Sequence, residues 1–134
     1  MISERLEHLA AALRLMLAKT PIVSVEVPVR LVNTSNSRSG WRSTAKRAKT
    51  VRETTRMLVR NATSGRVFPL VVRLVYVGPR QLDDDGIASA VKSLRDGVAD
   101  ALGVDDRDPR VVWVPDQERG GVREYGARVE IYLG

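Results

Sequence analysis

Ten residues, Phe68 to Val77 (FPLVVRLVYV), are apolar and β-branched almost without a break, and Arg73 is the one charge among them. A strand with one wet face alternates apolar and polar residues. A continuous apolar run of this length suits a strand covered on both faces, hence one in the middle of a sheet. Gly78-Pro79-Arg80 ends it, because proline cannot donate to a strand ladder. The next segment is delivered from the end of a rigid element, and it is acidic.

The stretch Leu82 to Pro109 (LDDDGIASAVKSLRDGVADALGVDDRDP) holds Asp83, Asp84, Asp85, Asp96, Asp100, Asp105, Asp106 and Asp108, half of the 16 acids in the chain. Between its acidic ends the spacing predicts an amphipathic helix over about 86 to 102. Ile87, Ala90, Val91, Leu94, Val98, Ala101 and Leu102 fall on one arc, with Asp85, Ser89, Lys92 and Asp96 opposite. Acids this close repel one another. A hard divalent cation with oxygen ligands is the partner that would relieve them.

The charge distribution sharpens the point. Residues 1–82 carry 15 Lys and Arg against 4 Asp and Glu, whereas residues 83–134 carry 7 against 12. A basic half and an acidic half suit a protein that grips a polyanion with one part and holds metal with the other. With 134 residues the chain is expected to form a single domain, 1–134, without repeats. It has no cysteine, which removes disulfides and thiolate zinc sites. No secretory leader or membrane-spanning run is visible, so the expectation is a soluble, cytoplasmic protein with no membrane partner.

In chain order, Ser3 is a candidate N-cap for a first helix carrying Leu6, Leu9, Leu13, Met16 and Leu17 up to Pro21. His8, the one histidine, falls on its polar side and lacks a catalytic partner. Ile22 to Leu31 reads as a strand, with Pro28 pushing it toward a sheet edge or a bulge. Asn33 to Gly40 (NTSNSRSG) is a turn-rich loop ending at Trp41, a residue equally suited to stacking on a base and to plugging the core edge.

A second helix is expected over Ser43 to Thr63, with Ala45, Ala48, Val51, Thr55, Leu58 and Ala62 on its inner stripe. Arg42, Lys46, Arg47, Lys49, Arg52, Arg56 and Arg60 occupy its other faces, and only Glu53 opposes them. Solvated helix faces usually alternate sign, because like charges at i,i+4 cost a few tenths of a kcal/mol. Stacked cations read either as a merely soluble surface or, the favoured reading, as a phosphate-backbone track, with Arg42, Lys46, Lys49, Arg52, Arg56, Arg60 and, beyond the strand, Arg80 as DNA-binding candidates. After the acidic stretch, Val111 to Asp116 and Glu124 to Leu133 read as a final hairpin across Glu118 to Gly121. The expected order is α-β-α-β-α-β-β, an α+β, two-layer fold with helices packed on a mixed β-sheet.

Capping and turns explain Asp85 and Asp108 comfortably. They explain Asp83, Asp84, Asp105 and Asp106 less well, since two adjacent acids at each end exceed what a cap needs. A calcium loop would need another spacing and a terminal bidentate Glu. Mg²⁺ fits better, because it takes few carboxylates and keeps waters and substrate oxygens. The sequence has no phosphate-binding glycine loop, no serine with a base and no histidine pair.

The run LDDDGIASAVKSLRDGVADALGVDD, the expected final hairpin and, more loosely, NTSNSRSGW resemble the RusA-type Holliday junction resolvases, small dimeric endonucleases of phages and prophages. The resemblance covers most of the chain from Val23 onward and leaves residues 1–20 as an additional helix. The family pattern is an Asp-x-Asp-Asn pair, a Lys followed four residues later by Asp, and an Asp-Asp pair beyond. Asp83 and Asp85, Lys92 with Asp96, and Asp105-Asp106 match it in order. The resemblance implies Mg²⁺, with Mn²⁺ as a substitute, held by Asp83, Asp85, Asp106 and Asp105. It also implies Asp83, Asp85, Asp106 and Lys92 as catalytic residues, branched DNA as the substrate, and a homodimer. Gly86 stands where the family has Asn. A straight helix over 86–102 rises roughly 24 Å, so two antiparallel copies would place one chain's first acids beside the other's second. The competing expectation is a non-catalytic DNA-binding module with the same fold.

Overall fold

The computed structural model describes residues 20–31, 40–63 and 70–133, together with Glu7 and Ala10. The first helix, His8, most of the NTSNSRSG loop, Phe68 and the side chain of Trp41 lie outside the described residues. The described residues form a mixed α+β fold. Its elements are β1 (Val23–Val27), α1 (Trp41–Ala62), β2 (Leu70–Gly78), α2 (Asp84–Ala90), α3 (Lys92–Leu102), β3 (Val111–Arg119) and β4 (Gly126–Leu133).

The strands form one sheet in the order β1-β4-β2-β3. β2 is interior, as its two-sided apolar run requires. Leu70, Val72, Leu74 and Tyr76 enter the main core, while Val71 joins Val114 and Tyr132 in a smaller cluster on the other face. Among the described residues β1 lies at an edge and pairs only with β4. It ends at Val27, shorter than the expected 22–31, because Pro28 brings no N–H and the Val29 N–H turns back to the Val27 carbonyl (2.8 Å).

The expected final hairpin does not form. β3 runs parallel to β2, from Leu70↔Val111 to Gly78↔Arg119. β4 runs antiparallel on the other side of β2, from Leu70↔Leu133 to Val77↔Gly126. A hairpin would have left β2 with an unpaired ladder on one side despite its apolar faces. The link from β3 to β4 instead steps over the end of β2, with the Gly120 N–H on the Gly78 carbonyl (2.8 Å). It turns back through Arg123 at φ 61.

α1 runs about as expected. Val51, Thr55 and Val59 are its buried residues, whereas Ala45 and Ala62 of the expected stripe are exposed. It ends where Thr63 turns extended and sends both its N–H (2.9 Å) and its hydroxyl (2.8 Å) to the Val59 carbonyl. The single helix expected over 86–102 is two, α2 and α3, divided at Val91 (φ −91, ψ 1). Hydrogen bonds continue across the break, from Val91 N–H to Ile87 O (3.0 Å) and from Arg95 N–H to Val91 O (2.9 Å). Val51 and Val59 of α1 share one core with Leu94, Val98 and Leu102 of α3 and with Val27, Val72, Leu74, Val129 and Ile131 of the sheet.

α1 and α3 meet most closely at Gly97, where a Cβ would lie 2.6 Å from the Arg52 carbonyl oxygen and 2.7 Å from the Thr55 Cβ. Glycine in a helix interior costs about 1 kcal/mol against alanine; here it permits the backbones to touch. No described helix is long and apolar enough to cross a membrane.

Candidate functional site

The acidic segment leaves the C-terminal end of β2 and is fixed within a few residues. The Gln117 side chain, on β3, grips the Leu82 backbone twice: its carbonyl accepts from the Leu82 N–H and its amide donates to the Leu82 O, both at 2.9 Å. The next residue, Asp83, is the N-cap of α2, and its Oδ1 accepts from the Gly86 N–H (2.7 Å). Capping accounts for one oxygen and leaves Oδ2 to another partner. Asp84 and Asp85 occupy the first turn with exposed side chains, where the helix dipole favours anions. Among the described residues none of the three acids has a Lys or Arg within ion-pair distance.

The second acidic group is built differently. Gly103, at φ 67, stops α3 in the left-handed conformation that glycine adopts freely. In the loop beyond it, Asp105 accepts from the Arg107 N–H (2.9 Å), a bond that holds its carboxyl below the usual range. Asp108 takes the Arg110 guanidinium (2.7 Å) and backbone N–H (2.9 Å), which bring its pKa down to about 2. Asp106 faces Arg95 at 3.5 Å, and its carbonyl accepts from the Trp113 indole N–H (3.0 Å). Here the acids already have partners.

Parallel pairing of β2 with β3 sets the distance between the groups. Asp83 follows the Gly78 end of β2, and the 105–108 loop precedes Val111, which sits beside Leu70 at the other end. Nine residues of strand span about 30 Å at 3.3 Å each, so the two groups leave from opposite ends of the sheet. The break at Val91 does not fold one onto the other.

The structure does bring Asp105 and Asp106 to Asp96 and Asp100, around a polar cavity of about 230 Å³ also lined by Arg52. Lys92 is exposed at the first residue of α3. Among the described residues no three His, Cys, Asp or Glu side chains are grouped to hold a metal ion.

The proposed DNA-binding residues separate into kinds. Arg42, Lys46, Lys49, Arg56 and Arg60 of α1 are exposed, as is Arg80 after β2. Arg52 is committed. Its Nε and Nη2 donate to the two carboxylate oxygens of Asp100 at 2.6 and 2.9 Å. These bonds hold the Asp100 carboxyl below its ordinary value and the guanidinium above. A bidentate pair of this kind ties α1 to α3 and leaves Arg52 fewer N–H groups for the expected phosphate track.

Two features carry no clear sequence signal. Gln117 is one, a glutamine among charged residues near a strand end. The other is a network across the sheet face away from α1, α2 and α3. Arg73 reaches Asp116 (2.8 Å) and Glu130 (3.0 Å), Arg128 reaches Glu130 (2.8 Å) and Glu118, and the Tyr132 hydroxyl donates to Glu130 (2.8 Å). Burial pushes the Glu130 carboxyl up, but the bonds from Tyr132, Arg73 and Arg128 outweigh it and hold it below its usual value.

No protein-family model and no solved structure matches the chain. It is similar to an uncharacterized protein of Xylella fastidiosa (strain Temecula1 / ATCC 700964), 39% identical over an alignment of 79 residues, with coverage of 54% of this chain and 52% of that protein. The chain thus spans about half the length of the curated relative it matches.

Proposed function

We propose that the chain is a Mg²⁺-dependent, structure-selective endonuclease of the RusA type that nicks branched DNA. The observation that carries this reading is the Asp83–Asp85 segment. Three acids without a cationic partner among the described residues are fixed at the end of an interior strand by the Gln117 clamp. Rigid support is what an ion site needs, and Mg²⁺ takes only one or two carboxylates with waters and substrate oxygens. The free Oδ2 of Asp83 and the exposed Asp85 suit that role. Mg²⁺, or Mn²⁺ in its place, would supply an activated water and charge relief at the leaving oxygen. Lys92 would offset charge on the phosphate, and α1 would hold the DNA backbone through Lys49, Arg56 and Arg60.

Because the two acid groups leave opposite ends of the sheet, a site using both Asp85 and Asp106 is assembled from two chains in a two-fold dimer. Mixing Asp85→Asn and Asp106→Asn chains tests this: composite sites restore one active centre per mixed dimer, and self-contained sites restore none.

A synthetic four-way junction is the substrate for the main experiment, with linear duplex and EDTA as controls. Mg²⁺-dependent nicking of the junction that Asp85→Asn abolishes is the expected result; nicking that survives Asp85→Asn overturns the site. The second reading is a non-catalytic DNA-binding module. It is favoured by the 105–108 loop, whose acids are engaged in turns and ion pairs, and by Gly86 in place of the family asparagine. Junction binding without cutting would establish it.

A further inference from the structure

Two sides of α1 are basic, and they point in different directions. The outward stripe of Arg42, Lys49, Arg56 and Arg60 is one. The other faces the segment that follows β1, where Arg30, Ser43, Lys46, Arg47 and Thr50 line a groove of about 660 Å³ with Val29 in its wall. No acid is among the described lining residues. Lys46 and Arg47 have no ion pair among the described residues, and Arg30 is held by stacking, its guanidinium carbon 3.9 Å from the centre of the Tyr125 ring. The Thr50 hydroxyl already donates to the Lys46 carbonyl (3.0 Å). Arg30, Lys46, Arg47 and Ser43 are therefore the donors the groove offers.

Helical geometry separates the two surfaces. At 100° per residue, Arg47 lies about 140° around α1 from Arg60, so one straight duplex along the outward stripe cannot also fill the groove. Ser43 to Thr50 advances about 10 Å along the axis, the reach of about three phosphates at 3.4 Å of rise per strand. Three cations meeting without a carboxylate repel one another unless a polyanion lies among them, and guanidinium groups match phosphate oxygens in planar pairs.

We propose that this groove is a second phosphate-backbone site, holding a strand of a different DNA arm from the one lying along the outward stripe. The proposal rests on the reading of the chain as a branched-DNA protein and assigns Arg30 and Arg47 to selection of branched over linear substrate.

The test is fluorescence anisotropy of the full chain with a labelled four-way junction and a labelled linear duplex, from 50 to 200 mM salt without divalent ions. Each phosphate contact contributes about 0.9 to the slope of log affinity on log salt. The expected result is that Arg30→Ala/Arg47→Ala lowers the junction slope by about 2 and leaves the duplex slope unchanged. Arg47→Ala alone, at an exposed helix position, lowers the junction slope by about 1 even if the double variant fails to fold, and Arg47→Lys restores it. An unchanged junction slope, or an equal fall on both substrates, overturns the second-arm site while leaving DNA binding intact. Loss of inorganic phosphate binding with both DNA slopes kept marks a small-anion site and also overturns it. A wild-type chain with no salt-dependent binding to either DNA removes the function reading as well.

Discussion

The two ends of the crossover from β2 to β3 are both acidic, yet they are built on opposite terms. At the Gly78 end, Asp83 caps a helix with one oxygen, Asp84 and Asp85 face solvent, and the tie to the fold is made through Leu82 backbone by Gln117. At the Leu70 end, Asp105 and Asp108 fold the loop onto its own N–H groups, Asp108 and Asp106 face arginines, and Asp100 is paired with Arg52 one helix turn earlier. The lesson is that a count of acids says little about their availability. The backbone is fixed at the first end and its carboxylates left open, while at the second the carboxylates themselves do the fixing.

The sharpest way to break this contrast is to remove charge at each end without changing shape. Asp85→Asn should lower junction nicking at least ~100-fold, the scale of losing a group that acts on the reacting centre, with an unchanged melting midpoint. Asp83→Asn keeps a good N-cap and should do the same. Asp108→Asn should leave nicking in place and lower the midpoint instead. If Asp85→Asn and Asp108→Asn respond alike, the contrast is wrong.

Next in size is the clamp. Gln117→Leu strips both hydrogen bonds from Leu82 and leaves two backbone groups without their partner, at about 1–3 kcal/mol each where water cannot replace it. Hydrogen exchange at the Leu82 amide should quicken, and nicking should fall with it while DNA affinity holds. Gly97→Ala tests the rod between the ends: the added methyl meets the Arg52 carbonyl and Thr55, and overpacking of this kind costs about 1–3 kcal/mol. Urea midpoints read that loss directly.

The smallest effect is one of pH. Asp100 and Asp108 have folded-state pKa values below their ordinary 3.8. Their contribution is present in full above that value and is lost as pH falls through the folded values, which for Asp108 means toward about 2. Unfolding midpoints should be flat from pH 7 to 5 and decline below about 4, and Asp100→Asn should blunt the decline. A decline that starts near pH 6 would point to groups outside this loop.

The features legible in the residues and those that are not divide along the same physical line. Val23, Val25 and Val27, stopped by Pro28, declare an edge strand, and the Phe68–Val77 run declares an interior one, because each signal is local. Helix α1 and the acidic helix declare themselves by period. The partner of β3 does not: two β-rich runs joined through Gly120-Gly121 look like a hairpin until β2 claims both as neighbours. Arg52 looks like any other cation of α1, since its pairing with Asp100 depends on how two helices cross 48 residues apart. Gln117 is silent for the same reason. Gly97 does carry a signal, a glycine inside a strong helix, and its cause is the close approach of a neighbouring backbone.

The position of β4 has one more consequence. It is the last of the four described strands in chain order, yet it sits between β1 and β2, which are not hydrogen-bonded to each other. Until residues 126–133 emerge from the ribosome, β1 has no ladder to join and one side of β2 stays bare. Such late, long-range closure slows folding and leaves an apolar edge open to other chains. Nascent chains halted before Gly126 are therefore expected to aggregate or recruit chaperones, whereas chains long enough for residues 126–133 to have left the ribosome should snap shut.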